Sequence, residues 1–302
     1  METRAGMTAA TIERLAHYFG TQRTRQGLLA RAALGRTDAA DAALAERLRG
    51  ELASGLRPDG AVAGGAVPTI WRIHELLDLG EREDSPAIVR PLAWMLDLQD
   101  RPGAFHDGCD RARHARQLCR HFLAGFFAPA PPAQRLAPVT LPTGKVFRVE
   151  PAARFAISCL ALRATLRAGG GERPSVTRHI QSLARISEQW TEWSGYFSPD
   201  TVVAGLHALA VAGPEHRNIV HRLVGVVTSN QGVEGGWPNA DLFQVLDALL
   251  AADTLEAQVT VRRAATALSA RQRTDGTFGT MAQQERALIG LRALLWASRS
   301  PA

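Results

Sequence analysis

The sequence contains 302 residues, of which 46% are hydrophobic and 21% are charged, an ordinary balance for a globular protein of one or two domains. The formal net charge is +6, and it belongs almost entirely to arginine because Lys145 is the only lysine. Without a lysine-rich tract or a basic region interleaved with aromatic residues, the sequence argues against a nucleic-acid partner.

Apolar residues recur with helical period along most of the chain. The pattern predicts about 13 helices, over Ala9–Phe19, Gln22–Leu34, Ala39–Leu52, Thr69–Leu79, Pro86–Leu98, about Asp107–Leu123, Phe155–Leu166, Val176–Trp190, Thr201–Val211, His216–Thr228, Leu242–Leu250, Ala257–Arg271 and Ala282–Trp296. One stretch breaks the pattern, since residues 128–142 contain five prolines, which cannot lie inside a helix. We therefore predict that an extended loop replaces one helix there.

Short loops that combine glycine with an aromatic or apolar residue stand before many of these helices. The clearest units are Gln231–Trp237 and Gln272–Phe278, and a third is Gln99–Phe105. The residues that we expect to anchor the loops are Phe19, Val62, Phe105, Phe147, Phe197, Trp237 and Phe278. Their spacing of about 40 to 50 residues indicates a repeat of one helical hairpin per step.

These units resemble the Gln-x(n)-Gly-x-Trp/Phe ("QW") repeats of terpenoid cyclases and the Gly-Gly-Phe repeats of protein prenyltransferase β subunits. The resemblance covers nearly the whole chain and implies an all-α fold, an (α/α)6 toroid. About six helical hairpins would form an inner and an outer ring, with the Pro-rich loop in place of one outer helix. We expect residues 1–302 to form a single domain. A seventh, incomplete hairpin remains an alternative to six.

In toroids of this family, the first turn of each inner helix faces the mouth of a central cavity. The resemblance therefore implies that catalytic acids lie near such turns. Our candidates are Asp107 and Asp110, with Glu75 and Glu150 as alternatives. The segment Asp107-Gly108-Cys109 also matches the Asp-x-Cys zinc ligands of the prenyltransferases, but no histidine is suitably placed to complete the set. We predict no metal site and leave cofactors open.

The predicted helix from Asp107 to Leu123 is rich in cations, and Arg113, Arg116 and Arg120 share one of its faces. Forked guanidinium groups suit phosphate or carboxylate. The candidate substrate-binding residues are Trp71, His74, Arg113, His114, Arg116, Arg120, Arg148 and Arg154. An alternative is that these arginines pair with Asp107, Asp110 and Glu150 and only stabilise the ring.

The first functional hypothesis is an enzyme of the terpenoid cyclase or prenyltransferase type, acting on an isoprenoid with a diphosphate in an apolar cavity. The chain departs from the cyclases because it lacks the Asp-x-Asp-Asp and Asp-Asp-x-x-Asp motifs. A non-catalytic binding or scaffold protein that kept the toroid is the second hypothesis. A carbohydrate-active epimerase or lyase is the third, weakened by the scarcity of Tyr and Trp.

The three cysteines, Cys109, Cys119 and Cys159, are an odd number without paired spacing, which is typical of a reducing compartment. The N-terminus has no apolar core suited to a signal peptide. No run reaches the roughly 18 to 20 apolar residues of a membrane span. We predict a cytoplasmic protein without a transmembrane segment, and the oligomeric state stays open.

Overall fold

Helices dominate the computed structural model, which describes residues 4–98, 106–107, 123–124, 135–193 and 199–299. Twelve α-helices lie within these residues and alternate between two concentric rings. The outer helices are α1 (Arg4–Gly20), α3 (Ala39–Ser54), α5 (Pro86–Asp97), α7 (Pro174–Ser187), α9 (Arg217–Ser229) and α11 (Leu255–Arg271). The inner helices are α2 (Arg25–Ala33), α4 (Ala66–Asp78), α6 (Glu150–Arg167), α8 (Pro199–Ala210), α10 (Leu242–Ala252) and α12 (Gln283–Ser298).

Each inner helix packs against the inner helices before and after it, and α12 packs against α2, so the inner ring is closed. Polar contacts complete the closure. Thr24 Oγ1 donates to Gln284 Oε1 at 2.6 Å between the N-terminal ends of α2 and α12, and Thr11 of α1 lies 3.0 Å from Ser269 of α11. The predicted all-α toroid of six hairpins is confirmed. Within the described residues, no helix is both long and apolar enough to cross a membrane.

The Gly-containing loops share one backbone hydrogen-bond pattern. In the segments 57–61, 141–145, 232–236 and 273–277, the first N–H donates to the fifth carbonyl at 2.8 Å. The fourth residue is always a glycine with φ between +81° and +91°, and its N–H donates back to the first carbonyl. Only glycine adopts this φ without strain. The repetition of glycine in the sequence therefore reflects one turn geometry.

Two glutamines join these turns to the next outer helix. The side-chain amide of Gln231 donates to Gly235 O and Thr260 O, both at 3.0 Å, and thereby links its own loop to α11. Gln272 donates in the same way to Gly276 O at 3.2 Å and Thr11 O at 3.1 Å, which links the last loop to α1. The two units are thus equivalent in structure, and the second one closes the ring.

The residues that follow the loops are anchored between the two rings. Trp237 and Phe278 are buried, and the Trp237 indole donates to Val227 O at 2.8 Å. In the loop 141–145 the equivalent position is Val146, whereas the buried ring belongs to the next residue, Phe147. The predicted anchors Phe105 and Phe197 lie outside the described residues.

The Gly235 turn offers a test of this geometry. A β-carbon on Gly235 would lie 2.4 Å from the backbone oxygen of Arg263, and its φ is +83°. Gly235→Ala should therefore lower the free energy of unfolding by about 2 to 3 kcal/mol, measured by urea denaturation. Gly50→Ala is the matched control, because this glycine lies in α3 with no atom near its missing β-carbon. It should instead stabilise the protein by about 0.5 to 1 kcal/mol; equal effects would contradict the turn assignment.

At both ends of the predicted helix over Asp107–Leu123, the described residues form short strands instead. Asp107 lies in a short strand, β1 (His106–Asp107), which pairs antiparallel with β2 (Leu123–Ala124). The residues between these strands lie outside the described part. In the closed inner ring, α4 and α6 are direct neighbours. The described part of the Pro-rich stretch, residues 135–142, contains no helix, as expected.

Residues 136–147, which we call the strap, cross the N-terminal end of the inner ring as an antiparallel pair, β3 (Val139–Thr140) and β4 (Val146–Phe147). The strap is held by residues in the first turn of four inner helices. Glu150 of α6 accepts from the backbone of the strap, Lys145 pairs with Asp200 of α8 at 2.7 Å, and Thr143 receives hydrogen bonds from Gln244 of α10 and Arg286 of α12. The first turns that we expected to line an open mouth are therefore covered.

Candidate active site at the ring centre

Charged side chains and histidines meet at the centre of the inner ring. We call this group the ring-centre cluster, and every inner helix contributes to it. Its members are Arg25, His74, Asp78, Arg163, Arg167, His207, Asp247 and Glu285. The ion pair between Arg163 of α6 and Asp247 of α10 spans two helices that α8 separates, which shows that these side chains point across the ring. The part of the ring interior that holds these side chains is therefore polar, whereas we expected an apolar cavity.

One half of the cluster is a tightly bonded network. Asp78 accepts a hydrogen bond from Arg25 on one carboxylate oxygen. Its other oxygen accepts from Arg167 at 2.7 Å. Arg25 also pairs with Glu285 and lies over the Trp71 ring, 5.3 Å from its centroid. Buried charges are stable only when they are paired in this way.

His74 extends this network as a neutral side chain. Arg167 Nη1 lies 2.9 Å from His74 Nδ1, so this nitrogen accepts and the proton sits on Nε2, which faces Leu160 O at 3.4 Å. Burial, reinforced by the nearby Arg163 and Arg167, holds the pKa of His74 well below its ordinary value. The imidazole therefore stays uncharged at neutral pH and positions its neighbours.

The other half of the cluster is loosely bonded, and its carboxyl is Asp247. Oδ2 of this residue lies 3.8 Å from Arg163 Nη2 and 3.6 Å from His207 Nδ1, both longer than hydrogen bonds. Burial raises the pKa of Asp247, although Arg163 acts in the opposite direction. Burial also lowers the pKa of Arg163 to about 10 and that of His207 well below its ordinary value. Asp247 is thus a carboxyl biased toward its protonated form.

Asp247 is also the member of the cluster that an incoming molecule meets. Although it lies inside the fold, 27% of its side chain is accessible, because it lines a pocket of about 410 Å³. The pocket opens between the C-terminal halves of α10 and α12 and the end of α2. Its other lining residues are Ala33, Leu250, Ala251, Asp253, Arg292, Leu295, Trp296 and Arg299. This arrangement can present a proton to a bound substrate.

Among the residues selected from the sequence, Trp71, His74 and Glu75 lie together on α4 beside the cluster. The rings of Trp71 and His74 are 5.4 Å apart. Glu75 pairs with Arg72 at 3.3 Å and adds to the negative field around Arg25. The structure therefore brings this predicted group to the ring centre, where it surrounds the network without reaching Asp247.

Glu150, Arg154 and Arg148 lie elsewhere. Although burial alone would raise the pKa of Glu150, hydrogen bonds from the Ala137 and Leu136 N–H groups and from Arg154 lower it. Arg154 Nε donates to this carboxylate at 2.6 Å, and Arg148 is exposed. A carboxylate held ionised in this way is a poor proton donor, so the geometry favours a structural role at the strap.

The remaining candidates cannot be placed. Asp110, Arg113, His114, Arg116 and Arg120 lie outside the described residues, as does the side chain of Asp107. Cys109 also lies outside them, so the proposed zinc ligands have no described geometry. Within the described part, no three His, Cys, Asp or Glu side chains are placed to hold a metal.

The sequence reasoning missed most of the cluster, including Asp78, Arg163 and Asp247. For Asp247 a signal was nevertheless present, because it is the single charged residue in LFQVLDALLAA, the apolar sequence of α10. A lone charge in such a segment must be paired or functional. Periodicity alone did not reveal which of these side chains share the ring centre.

No family model and no curated protein matches the chain. Several solved structures do match the chain. The type II terpene cyclase MstE from Scytonema, in complex with geranylgeranyl dihydroxybenzoate (substrate), is 13% identical, with a TM-score of 0.59 over 97% of this chain and 98% of that chain. A protein from Actinoplanes is 12% identical, with a TM-score of 0.61 over 97% and 100%. ent-Copalyl diphosphate synthase from Streptomyces platensis is 18% identical, with a TM-score of 0.51 over 93% of this chain and 50% of that chain.

At these identities the likeness establishes the fold, a terpenoid-cyclase-like toroid. This agrees with the cyclase part of the resemblance found in the sequence. The prenyltransferase part stays a prediction.

Proposed function

We propose that this protein is a terpenoid-cyclase-like enzyme that binds an isoprenoid in the ring and protonates it with Asp247. The observation that carries the proposal is the Asp247 carboxyl, which lies half-buried at the ring centre, lines a pocket and has a pKa that burial raises. Asp78 and Glu285 are less suited, because arginines already engage their carboxyl groups and neither residue lines this pocket. A general acid needs its proton at working pH and a path to the substrate.

The step is a proton transfer to a carbon–carbon double bond. The proton leaves Asp247 for one alkene carbon, a C–H bond forms as the π bond breaks, and the neighbouring carbon becomes a carbocation. The next double bond attacks this carbocation, and loss of a proton ends the cyclisation. Arg163 stabilises the carboxylate that Asp247 leaves behind, and the Trp296 ring lining the pocket can stabilise positive charge on the substrate.

The substrate class follows from the fold neighbours and from the arginine-rich sequence. The structures with this fold include one that binds geranylgeranyl dihydroxybenzoate and one described as a copalyl diphosphate synthase. We therefore propose a prenyl chain that carries an anionic group, with a diphosphate as the first choice. Arg113, Arg116 and Arg120 stay our candidate ligands for that group, with Asp107 and Asp110 as alternative acids.

The polarity of the ring centre favours a second candidate, a carbohydrate-active epimerase or lyase. Hydroxyl groups would suit the hydrogen-bonding side chains of the ring-centre cluster better than a hydrocarbon does. A non-catalytic binding protein is the third possibility, in which the cluster only stabilises the ring. Turnover of prenyl substrates separates the first candidate from both others.

The test uses solvent deuterium. The full chain is incubated in D₂O with geranylgeranyl diphosphate, geranylgeranyl dihydroxybenzoate and geranylgeraniol, and products are analysed by mass spectrometry. A cyclised product with one deuterium on carbon is expected, since the acid exchanges its proton with solvent. If no prenyl substrate is consumed at any pH between 5 and 8, the cyclase proposal fails.

Asp247→Asn should reduce this turnover by about 100-fold or more, the contribution of a positioned general acid. The unfolding free energy should change by less than about 1 kcal/mol, because asparagine has the same shape and Asp247 lies 3.8 Å from Arg163 and 3.6 Å from His207, too far for strong hydrogen bonds. Asp253→Asn is the matched control on the same pocket, at a left-handed position that asparagine tolerates. Equal turnover in both variants would exclude Asp247 as the acid.

A further inference from the structure

A second pocket, of about 430 Å³, opens on the face where the inner helices begin, between the last two Gly-containing loops. Three arginines line it: Arg271 at the end of α11, Arg273 in the following loop and Arg286 in the first turn of α12. Its apolar lining includes the rings of Trp237, Phe243 and Phe278. This pocket is separate from the one that leads to Asp247, since the two share no lining residue.

Among the described residues, one carboxylate lines this pocket, that of Asp241, and it is already engaged. Its Oδ1 caps α10 by accepting from the N–H groups of Phe243 and Gln244, and its Oδ2 pairs with Arg286 at 2.8 Å. Arg286 also donates to Thr143 O of the strap at 2.8 Å and lies over the Phe243 ring. Arg286 is therefore a fixed cation whose position does not depend on a ligand.

Within the part of the chain that the structure describes, the other two guanidinium groups have most of their N–H donors free. Arg271 makes one hydrogen bond among the described residues, to Ala267 O at 3.1 Å. Arg273 Nε lies 3.7 Å from Asp275, which is longer than a hydrogen bond. Both side chains line the pocket, so their planar N–H forks are available to an oxyanion there.

We infer that this pocket binds the phosphate or diphosphate group of a ligand between Arg271, Arg273 and Arg286. Among the described residues, these three arginines outnumber the carboxylates of Asp241 and Asp275 beside them, which leaves an excess of positive charge for an anion. The beginnings of α10 and α12 add the partial positive charge of helix N-termini. The inference is independent of the proposed acid, so Asp247→Asn should bind the anion as the wild type does.

The experiment is calorimetric titration of the full chain with sodium pyrophosphate at low ionic strength. One saturable site is expected, weakened by added salt because the guanidinium groups are partly exposed. Replacing both exposed arginines, Arg271→Gln with Arg273→Gln, should weaken binding at least tenfold. Arg82→Gln, a fully exposed arginine elsewhere, should leave the affinity unchanged.

Asp241→Asn should strengthen the binding of pyrophosphate, whereas the double arginine variant should weaken it. Asparagine keeps the helix cap but removes the competing negative charge, so pyrophosphate should bind several-fold more tightly. Sedimentation with vesicles containing phosphatidic acid tests whether the phosphate belongs to a lipid headgroup or to a free ligand. Binding of either one supports the site if the double variant abolishes it. Absence of saturable pyrophosphate binding, or equal affinity in the wild type and the double variant, would overturn the inference.

Discussion

Replacing Asp78 by alanine is expected to lower the free energy of unfolding by about 3 to 5 kcal/mol, the loss typical of breaking a buried ion pair from one side. Asp78 accepts from both Arg25 and Arg167, and its side chain is only 15% exposed. Without it, Arg25 keeps Glu285, but the partner that Arg167 keeps among the described residues is the neutral His74. Urea denaturation followed by circular dichroism measures the loss.

Two variants make this result interpretable. Asp84→Ala removes an exposed partner of Arg82 and should leave stability close to that of the wild type, since solvent screens such pairs. Combining Asp78→Ala with Arg167→Met removes the stranded charge as well, and should restore part of the lost stability. A loss below about 1 kcal/mol for Asp78→Ala alone would mean that water reaches the ring centre and solvates the arginines.

The fold was largely predictable because its determinants are local. Hairpins such as α11 and α12 show helical periodicity, and the glycines of the connecting turns, such as Gly276, mark a backbone conformation that other residues avoid. The seven anchors were assigned from the same spacing. At the turn 141–145 the buried ring is Phe147, one residue later than in the other loops, because the strap replaces an ordinary hairpin loop there. The spacing of the anchors alone could not reveal the strap.

The candidate site was predictable only in part, because it depends on tertiary neighbours. Trp71, His74 and Glu75 were found through their position after a Gly-containing loop, and they do lie at the ring centre. Asp78 and Asp247 lie deeper in their helices, and each pairs with an arginine of α6 that is more than 80 residues away in sequence. Glu150 had the expected position in a first turn, but the strap occupies its carboxylate.

The strap also changes which end of the ring can admit a substrate. The first turns of α6, α8, α10 and α12 hold it through Glu150, Asp200, Gln244 and Arg286. The pocket that reaches Asp247 opens at the opposite end, where α10 and α12 finish. A cyclase with this arrangement would bind its substrate from the C-terminal end of the inner helices unless the strap moves.

Acidification is expected to destabilise the protein steeply below pH 6.5, because buried histidines stay neutral in the fold. Burial lowers the pKa of His74 and His207 well below the ordinary value, and that of His179 to about 4. Stability is therefore fully present above the unfolded pKa of about 6.5 and is lost as the pH falls toward the folded values, since the unfolded chain binds the protons first. Each histidine contributes a slope of up to about 1.4 kcal/mol per pH unit.

Asp247 affects the pH dependence of stability in the direction opposite to the histidines. Its pKa is raised by burial, so its protonation favours the folded state as the pH falls. Burial raises the pKa of Glu285 as well, so two carboxyls oppose the three histidines and the net loss between pH 6.5 and about 5 stays below the roughly 4 kcal/mol per pH unit of the histidines alone. Carboxylates with lowered pKa, such as Glu150, lose their contribution only at lower pH.

Urea denaturation at several pH values between 8 and 5 tests this dependence. His207→Asn should reduce the slope by about 1.4 kcal/mol per pH unit, because it removes one of the groups that the unfolded chain protonates first. His17→Asn, at an exposed position on α1, should leave the slope unchanged. If stability were flat between pH 6.5 and 5, the histidines would have to accept protons inside the fold. The ring centre would then be hydrated, and Asp247 would lose the burial that makes it a proton donor.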